Sequence, residues 1–211
     1  MLAGMERIYN SSLSPDGKWI AFIWHRDKFC NIYVISSDGG WPRQITFNRK
    51  ATQFWWDEIP RWSPDGSKLA FGIENHVYWT PMDGGLPEKI SGFTARASNP
   101  RWLNDSKRLV VSVEMDEKEQ LIITDIDGTW PQLLAAGEGN NRDANPSPDG
   151  KWVAYTHWPL DDLNRLEIRV AETATGKNRT LTSTPGRKDW SPRWSFDNQK
   201  LAFLSNRSGF A

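Results

Sequence analysis

The stretch Pro60-Arg61-Trp62-Ser63-Pro64-Asp65-Gly66-Ser67-Lys68-Leu69-Ala70-Phe71 contains the end of one β-strand, a tight turn and the start of the next strand. Pro64 sets φ for the second position of the turn, and the Asp65 carboxylate can accept hydrogen bonds from the nearby backbone. Gly66 tolerates the conformation in which the chain leaves the turn. The apolar residues 69–71 suit a buried strand. The stretch therefore predicts a hairpin.

The hairpin stretch occurs five times along the chain. Its turn aspartates are separated by intervals of 49, 40, 44 and 48 residues, and they are Asp16, Asp65, Asp105, Asp149 and Asp197. Repeats of about 40–50 residues that are built from short strands are typical of β-propeller blades. The third copy departs from the pattern at Leu103-Asn104, and the fourth copy at Asn145-Pro146, where the tryptophan of the first strand is missing.

Each of the first four repeats continues with two further strands. An apolar third strand such as residues 32–35 is followed by a turn such as Asp38-Gly39-Gly40, and a short fourth strand such as Gln44-Ile45-Thr46 comes next. An Asp-Gly pair between apolar runs is a strong hairpin signal. Four strands joined as an antiparallel meander form a propeller blade. Since no segment has sustained helical periodicity, the chain is predicted to be all-β.

The repeat predicts a single β-propeller domain over residues 1–211. Four complete blades are expected at about 8–47, 57–91, 98–135 and 143–182, with half of a fifth blade at 190–207. A half blade would leave the edge of its second strand unpaired, and unpaired edges associate with other chains. The chain is therefore expected to be an open, incomplete propeller or to form a homo-oligomer through this end.

Candidate binding residues lie on one face of the predicted propeller. The Ser-Pro-Asp-Gly and Asp-Gly turns share one face, while the variable loops share the other, and variable loops on a rigid scaffold often bind ligands. Trp55-Trp56-Asp57-Glu58 is the foremost candidate, because adjacent aromatic and acidic side chains could hold a peptide N-terminus or a partner side chain. Packing of one tryptophan between blades is the alternative. His25, Arg26, His157 and Trp158 lie in other loops predicted on this face.

The sequence contains 13 tryptophans, a large number for 211 residues. Stacking on sugars or bases is one interpretation. Packing within the repeat is the other, and it is expected for the residues that recur at equivalent positions: Trp62, Trp102 and Trp194 at one position, Trp19 and Trp152 at a second, and Trp41 and Trp130 at a third. Asp16, Asp65, Asp149 and Asp197 are likewise expected to act within their own turns rather than in catalysis.

Composition excludes several functional classes. The 26 basic and 26 acidic residues cancel, so net charge favours neither nucleic acid nor an anionic membrane. A single cysteine, Cys30, excludes an intramolecular disulfide. No apolar run reaches transmembrane length and no signal peptide is recognisable, so a cytoplasmic location is expected, or a periplasmic one if a signal was removed.

No cofactor or metal site is predicted. Asp161 and Asp162, with Asp143 nearby in sequence, could coordinate a hard cation, but no calcium-loop spacing surrounds them and a solvated loop is the favoured interpretation. His76 follows Asn75 in a predicted tight hairpin, which favours a solvated turn residue over a catalytic base.

The order Trp-Ser-Pro-Asp-Gly, Ile-Tyr-Val, Asp-Gly-Gly and Pro-Arg-Gln-Ile-Thr resembles a known propeller repeat. It is similar to the repeat of TolB and to the N-terminal propeller of the prolyl oligopeptidase family, including acylaminoacyl- and dipeptidyl-peptidases. The resemblance spans about residues 8–210. In that peptidase family it implies a propeller that gates substrate access to a separate α/β-hydrolase domain, which carries the Ser-Asp-His triad.

The triad itself is not recognisable here, because no Gly-x-Ser-x-Gly nucleophile elbow occurs. Three hypotheses follow. The first is a non-catalytic propeller module of a serine peptidase, whose partner would be a peptide or the missing hydrolase domain. The second is a TolB-like scaffold for protein binding, and the third is a carbohydrate-binding propeller. A downstream nucleophile elbow in the reading frame would favour the first, and a preceding export signal the second.

Overall fold

The computed structural model describes residues 7–26, 29–48, 59–135, 139–162 and 164–207. Within these ranges every regular element is a β-strand and all strand pairs within the sheets are antiparallel. The prediction of an all-β chain built from antiparallel four-stranded sheets is confirmed. No helix capable of crossing a membrane is found among the described residues.

Four sheets of four strands follow one another along the described chain, and a two-stranded sheet comes last. We refer to them as blades one to five. Blade one contains β1 (Arg7–Leu13), β2 (Trp19–Arg26), β3 (Phe29–Ser36) and β4 (Arg43–Gln44); blade two contains β5 (Arg61–Trp62), β6 (Lys68–Ile73), β7 (His76–Pro81) and β8 (Glu88–Lys89).

Blades three to five have the same strand order. Blade three contains β9 (Ala97–Trp102), β10 (Arg108–Met115), β11 (Lys118–Asp125) and β12 (Gln132–Ala135); blade four contains β13 (Asn140–Pro146), β14 (Trp152–Trp158), β15 (Glu167–Glu172) and β16 (Asn178–Thr180); blade five contains β17 (Asp189–Trp194) and β18 (Leu201–Ser205).

The hydrophobic core lies between blades. Leu69 and Phe71 of β6 pack with residues of blade one such as Val34, while Ala70, between them in sequence, packs with residues of blade three such as Leu109. This follows from the alternation of side chains between the two faces of a strand. A third apolar layer separates blades three and four. The predicted apolar runs of blades two and three are therefore buried because each of these blades is covered on both faces by its neighbours.

The repeated turn is closed by one serine and one aspartate. In blade two, the Ser63 hydroxyl donates to Asp65 Oδ1, at 2.5 Å, and accepts the Lys68 backbone N–H at 2.9 Å. Asp65 Oδ1 also accepts the Ser67 backbone N–H at 3.0 Å. Partial burial raises the pKa of Asp65, but the hydrogen bonds from Ser63 and Ser67 outweigh it and lower the pKa to about 2. Equivalent serine–aspartate bonds occur at Asp16, Asp149 and Asp197.

Tryptophans of the innermost strands connect consecutive blades. The Trp62 indole N–H donates to the Ser12 carbonyl at 3.1 Å, and the Trp102 indole donates to the Arg61 carbonyl at 2.9 Å. The Trp194 indole donates in the same way to the Asn145 carbonyl at 3.1 Å. Each bond joins a blade to the blade that precedes it, so these side chains fix the spacing of the innermost strands as well as filling the core.

The innermost strands also contain a bulge that the sequence did not reveal. Pairing shifts register within β1, β9, β13 and β17, and in each strand one residue adopts positive φ, with values between 43° and 55°. These residues have small or short polar side chains, which tolerate the left-handed region better than bulky ones. They are Asn10, Asn99, Asp143 and Ser191.

Trp41 and Trp130 correct the expectation that tryptophans at equivalent positions pack within the repeat. They are 95% and 84% exposed, and Leu86 at the equivalent position of blade two is 88% exposed. Each follows the turn between the third and fourth strands, at the outer end of its blade, where no neighbouring strand covers it. In contrast, Trp62 and Trp102 are 8% and 7% exposed.

The turn and the tryptophan should contribute differently to stability. Replacing Asp65 with alanine removes local hydrogen bonds at an exposed turn and should lower the free energy of unfolding by about 1 kcal/mol. Trp62→Ala removes a buried ring and the bond to blade one, and should cost roughly 3–5 kcal/mol. Chemical denaturation followed by tryptophan fluorescence or circular dichroism measures both, and a larger loss for Asp65→Ala would contradict the packing role of Trp62.

Candidate functional site

Trp55, Trp56, Asp57 and Glu58, the foremost candidates on the variable face, lie outside the described residues. The other four predicted binding residues are described. They occupy equivalent places in two different blades, at the ends of β2 and β14, rather than one shared site.

His25 and Arg26 belong to a strand, which corrects their placement in a loop. They form the last two residues of β2 and pair with Cys30 and Phe29 of β3. The Arg26 guanidinium lies 5.4 Å from the centre of the Trp24 ring, within the range of a cation–π contact. The strand extends further than expected because β2 and β3 stay paired as far as Arg26 and Phe29.

Arg26 borders an open pocket of about 590 Å³ on blade one. Phe29, Tyr33 and Phe47 supply aromatic surface, and Phe47 is 67% exposed. Gln44 at the wall accepts a hydrogen bond from the Tyr33 hydroxyl at 3.0 Å and donates to the Thr46 carbonyl at 2.8 Å. The polar groups of the wall thus hold the pocket in shape, while its aromatic faces can contact a ligand.

His157 is buried, which corrects its prediction as a loop residue on the binding face. It is 2% exposed, and its Nδ1 lies 2.8 Å from Asn141 Oδ1. The Asn141 amide donates to Gln120 Oε1 at 2.8 Å, and Gln120 donates to the Gly139 carbonyl at 3.0 Å. Because each amide in this chain donates onward, Asn141 offers its oxygen to His157, so Nδ1 of the imidazole is the donor.

His157 is held neutral by its surroundings. Burial, together with the positive charges of Arg169 and Arg165, lowers its pKa to about 4 against the opposing effects of Glu167 and Asp161. Neighbouring Trp158 is partly buried, and the Arg142 guanidinium lies 5.6 Å from its ring centre. His157 is thus linked through Asn141 to Gln120 of blade three, whereas Trp158 contacts Arg142 of its own blade.

A buried carboxylate lies near His157. Glu167 is 3% exposed and its Oε2 accepts hydrogen bonds from Arg169 Nε and Nη2 at 3.0 and 2.8 Å. Its Oε1 accepts the Ser183 hydroxyl at 2.8 Å and lies 3.1 Å from Arg165 Nε. Ser183 thus donates to a carboxylate and His157 donates to an amide, so the two do not form the nucleophile–base pair that acyl transfer requires.

The acidic residues considered for a cation are engaged in other contacts. Asp161 forms an ion pair with Arg165 at 3.0 Å, Asp162 accepts the Asn164 backbone N–H, and Asp143 accepts the Thr156 hydroxyl at 3.2 Å. Within the described ranges, no three His, Cys, Asp or Glu side chains are grouped so that they could hold a metal ion.

A basic cavity lies on the channel axis and was not predicted from the sequence. The innermost strands of all five blades line a space of about 310 Å³, and the arginines at its wall are Arg61, Arg101 and Arg193. Each precedes the tryptophan of an innermost strand, in the triplet Pro-Arg-Trp. The recurrence of this triplet could have revealed the cavity, because the first strands of propeller blades surround the central channel.

The buried histidine makes a pH dependence testable. The unfolded chain binds a proton at His157 near pH 6.5 and the folded chain only near pH 4, so acidification through this range stabilises the unfolded state. From pH 7 to 4.5 the free energy of unfolding should fall by on the order of 2 kcal/mol more for the native chain than for His157→Gln. Urea denaturation at both pH values measures this, and equal losses would contradict it.

Comparison with known proteins places these features among propellers. No model of a known protein family matches the sequence. An uncharacterized protein of Agrobacterium fabrum is 26% identical over 216 residues, covering 95% of this chain and 71% of that protein. The uncharacterized peptidase YuxL of Bacillus subtilis is 22% identical over 202 residues, covering 74% of this chain but only 30% of the peptidase.

Solved structures show the same fold. TolB of Acinetobacter baumannii superposes with a TM-score of 0.73 at 21% identity, covering 93% of this chain and 48% of TolB. A puromycin-hydrolyzing peptidase of Mycobacterium tuberculosis superposes with a TM-score of 0.77 at 16% identity, covering 99% of this chain and 36% of the peptidase.

The chain is a β-propeller module. It resembles both TolB and the propeller domains of prolyl-oligopeptidase-family peptidases, as the repeat predicted. The module spans less than half the length of the TolB and of both peptidases compared here.

Proposed function

We propose that this propeller is a non-catalytic recognition module that binds a peptide or protein, in the manner of the gating propeller of a prolyl-oligopeptidase-family serine peptidase. The observation that carries the proposal is a polar cavity on which the innermost strands of all five blades converge, in a fold shared with such peptidases over 99% of this chain. The hydrolase domain of such a peptidase would be its natural partner, and the finer architecture would be four complete blades with half of a fifth.

The absence of catalysis is part of this proposal. Ser183 and His157 are both committed to other hydrogen bonds in the described structure. The sequence has no Gly-x-Ser-x-Gly elbow. The rigid support of His157 and Glu167 fits a scaffold role better than proton transfer, because a general base near neutral pH needs a pKa close to the working pH.

A TolB-like scaffold for protein binding is an equally supported alternative, because TolB shares the fold over 93% of this chain. The pocket beside Arg26 favours a third and weaker candidate, binding of carbohydrate, since it combines exposed aromatic surface with side-chain amides. The complete reading frame separates the first two candidates: a downstream nucleophile elbow supports the peptidase module, and a preceding export signal supports the TolB-like scaffold.

The expected lack of peptidase activity can be tested directly on the purified chain. The chain should neither cleave chromogenic peptide substrates nor react with a fluorophosphonate serine probe, because the buried His157 is hydrogen-bonded to Asn141 and not to a serine. Gel fluorescence and intact-mass measurement detect the adduct. A prolyl-oligopeptidase-family enzyme serves as the positive control for the probe, and stoichiometric labelling of one serine would refute the non-catalytic role.

The edge of blade five supports a proposal about association. Among the described strands, β18 pairs only with β17, and Leu204 is 56% exposed. The second strand of a complete blade, such as β14, is buried over its central residues because a third strand and a neighbouring blade cover it. The edge of β18 that no described strand covers is therefore suited to pair with a strand of another chain.

A single positive charge introduced at this edge should prevent association. The native chain should form oligomers at micromolar concentration, and Leu204→Lys should shift it to monomers, since an edge lysine opposes strand pairing. Leu133→Lys is the matched control, because Leu133 is 43% exposed on the outer strand of complete blade three. Light scattering or native mass spectrometry reads the result, and a strictly monomeric native chain would contradict association.

A further inference from the structure

The central cavity lies towards one end of the channel. It is lined by the last residues of the innermost strands and by the prolines of the adjoining turns, among them Pro15 and Pro64. This end faces the repeated Ser-Pro-Asp-Gly turns rather than the variable loops. The cavity is therefore separate from the pocket beside Arg26 and from the buried cluster around His157.

Propeller symmetry brings the cavity's arginines together. Arg61, Arg101 and Arg193 hold the same position in blades two, three and five, while Ser12 and Asn145 hold it in blades one and four. Residues far apart in sequence thus converge on one axis. A single repeated triplet consequently gives three guanidinium groups to one small space.

The backbone beneath these side chains is fixed by contacts between blades. The Arg61 carbonyl accepts the Trp102 indole N–H, and the Asn145 carbonyl accepts that of Trp194. Arg101 Nε donates to the Ala144 carbonyl at 3.1 Å, which holds its side chain across the boundary between blades three and four. A site whose walls are positioned before the ligand arrives loses less conformational entropy on binding.

Two of the three cavity arginines, Arg101 and Arg193, carry positive charge without an acidic partner in the described part of the chain. Among the described residues, those that line the cavity include no aspartate or glutamate. Among the described residues, no carboxylate forms an ion pair with Arg101 or Arg193. Clefts lined by one sign of charge concentrate ligands of the opposite sign.

We propose that this cavity binds carboxylate groups of an acidic peptide segment, an inference that rests on the proposed role in peptide recognition. Guanidinium groups match carboxylates by paired, charge-assisted hydrogen bonds. The volume of about 310 Å³ lies at the lower end of small-ligand sites, so it fits one or two side chains or a chain terminus rather than a folded surface.

The apolar part of the wall favours a peptide over a free inorganic anion. Trp62, Trp102 and Pro146 border the same space as the arginines. Their rings can cover the aliphatic part of a glutamate side chain, whereas a hydrated phosphate would gain nothing from them. Because guanidinium groups bind phosphate as well as carboxylate, inorganic phosphate is the relevant competitor in a test.

Binding of a fluorescein-labelled hexaglutamate peptide to the complete chain tests the proposal, with hexaglutamine as the uncharged control. Fluorescence anisotropy at low salt should show saturable binding of hexaglutamate only, weakened by added sodium chloride. The double variant Arg101→Gln/Arg193→Gln should bind about tenfold more weakly or worse, because charge-assisted bonds are lost. Absent binding by the native chain would overturn the proposal.

Control variants distinguish binding at the cavity from nonspecific attraction of the peptide to positive charge on the protein surface. Lys89→Gln/Lys107→Gln removes two exposed positive charges outside the cavity and should leave affinity unchanged. An equal loss in this variant, or displacement of the peptide by equimolar inorganic phosphate, would overturn the proposal. Arg193→Gln alone and Arg101→Lys guard against misfolding, because Arg193 is exposed and Arg101→Lys keeps the charge. Circular dichroism verifies the fold of each variant.

The readouts distinguish this proposal from the proposed function. Reaction with a fluorophosphonate would refute the non-catalytic role without bearing on the arginines. Retained affinity in the folded double variant would refute the arginine site and leave the recognition role intact.

Discussion

The hydrogen bond from a tryptophan indole to the carbonyl of the preceding blade is the contact on which the architecture depends. Trp62, Trp102 and Trp194 each place a large ring between two sheets and direct its only polar group to the backbone across the boundary. A buried indole N–H without an acceptor would be costly. The bond therefore permits one separation of the innermost strands, and that separation sets the width of the channel.

Where the repeat departs from its pattern, other side chains take over the lost contacts. Leu103 replaces the serine of the third turn, and Arg108 Nε binds Asp105 Oδ2 at 2.7 Å in its place. Ser106 and Asn198 replace the turn glycine and keep its positive φ, at 56° and 59°. Their side chains accept the backbone N–H of the turn aspartate in the preceding blade. Irregular copies thus strengthen the boundaries between blades.

Sequence predicted the fold well because a propeller is specified by local signals. Turn residues, apolar runs and their spacing are all visible within one repeat. The site was predicted poorly because it depends on contacts between repeats: His157 looked like a loop residue but is sealed by Asn141 of a neighbouring strand. Trp130 looked like a packing residue but protrudes, since its environment depends on what covers a blade end. Arg101 was passed over because its significance appears only when the blades are arranged around an axis.

The indole bonds also give the molecule a direction. Every one of them points from a blade to the blade synthesised before it, so each acceptor carbonyl leaves the ribosome ahead of its donor. At these three boundaries a nascent chain can therefore form the bond as soon as the next tryptophan emerges. The two ends are consequently not equivalent: loss of blade five leaves Trp62 and Trp102 with their acceptors, whereas loss of blade one removes the acceptor of Trp62. At these boundaries a blade therefore depends on the blade before it, and not on the blade after it, for the acceptor of its indole N–H.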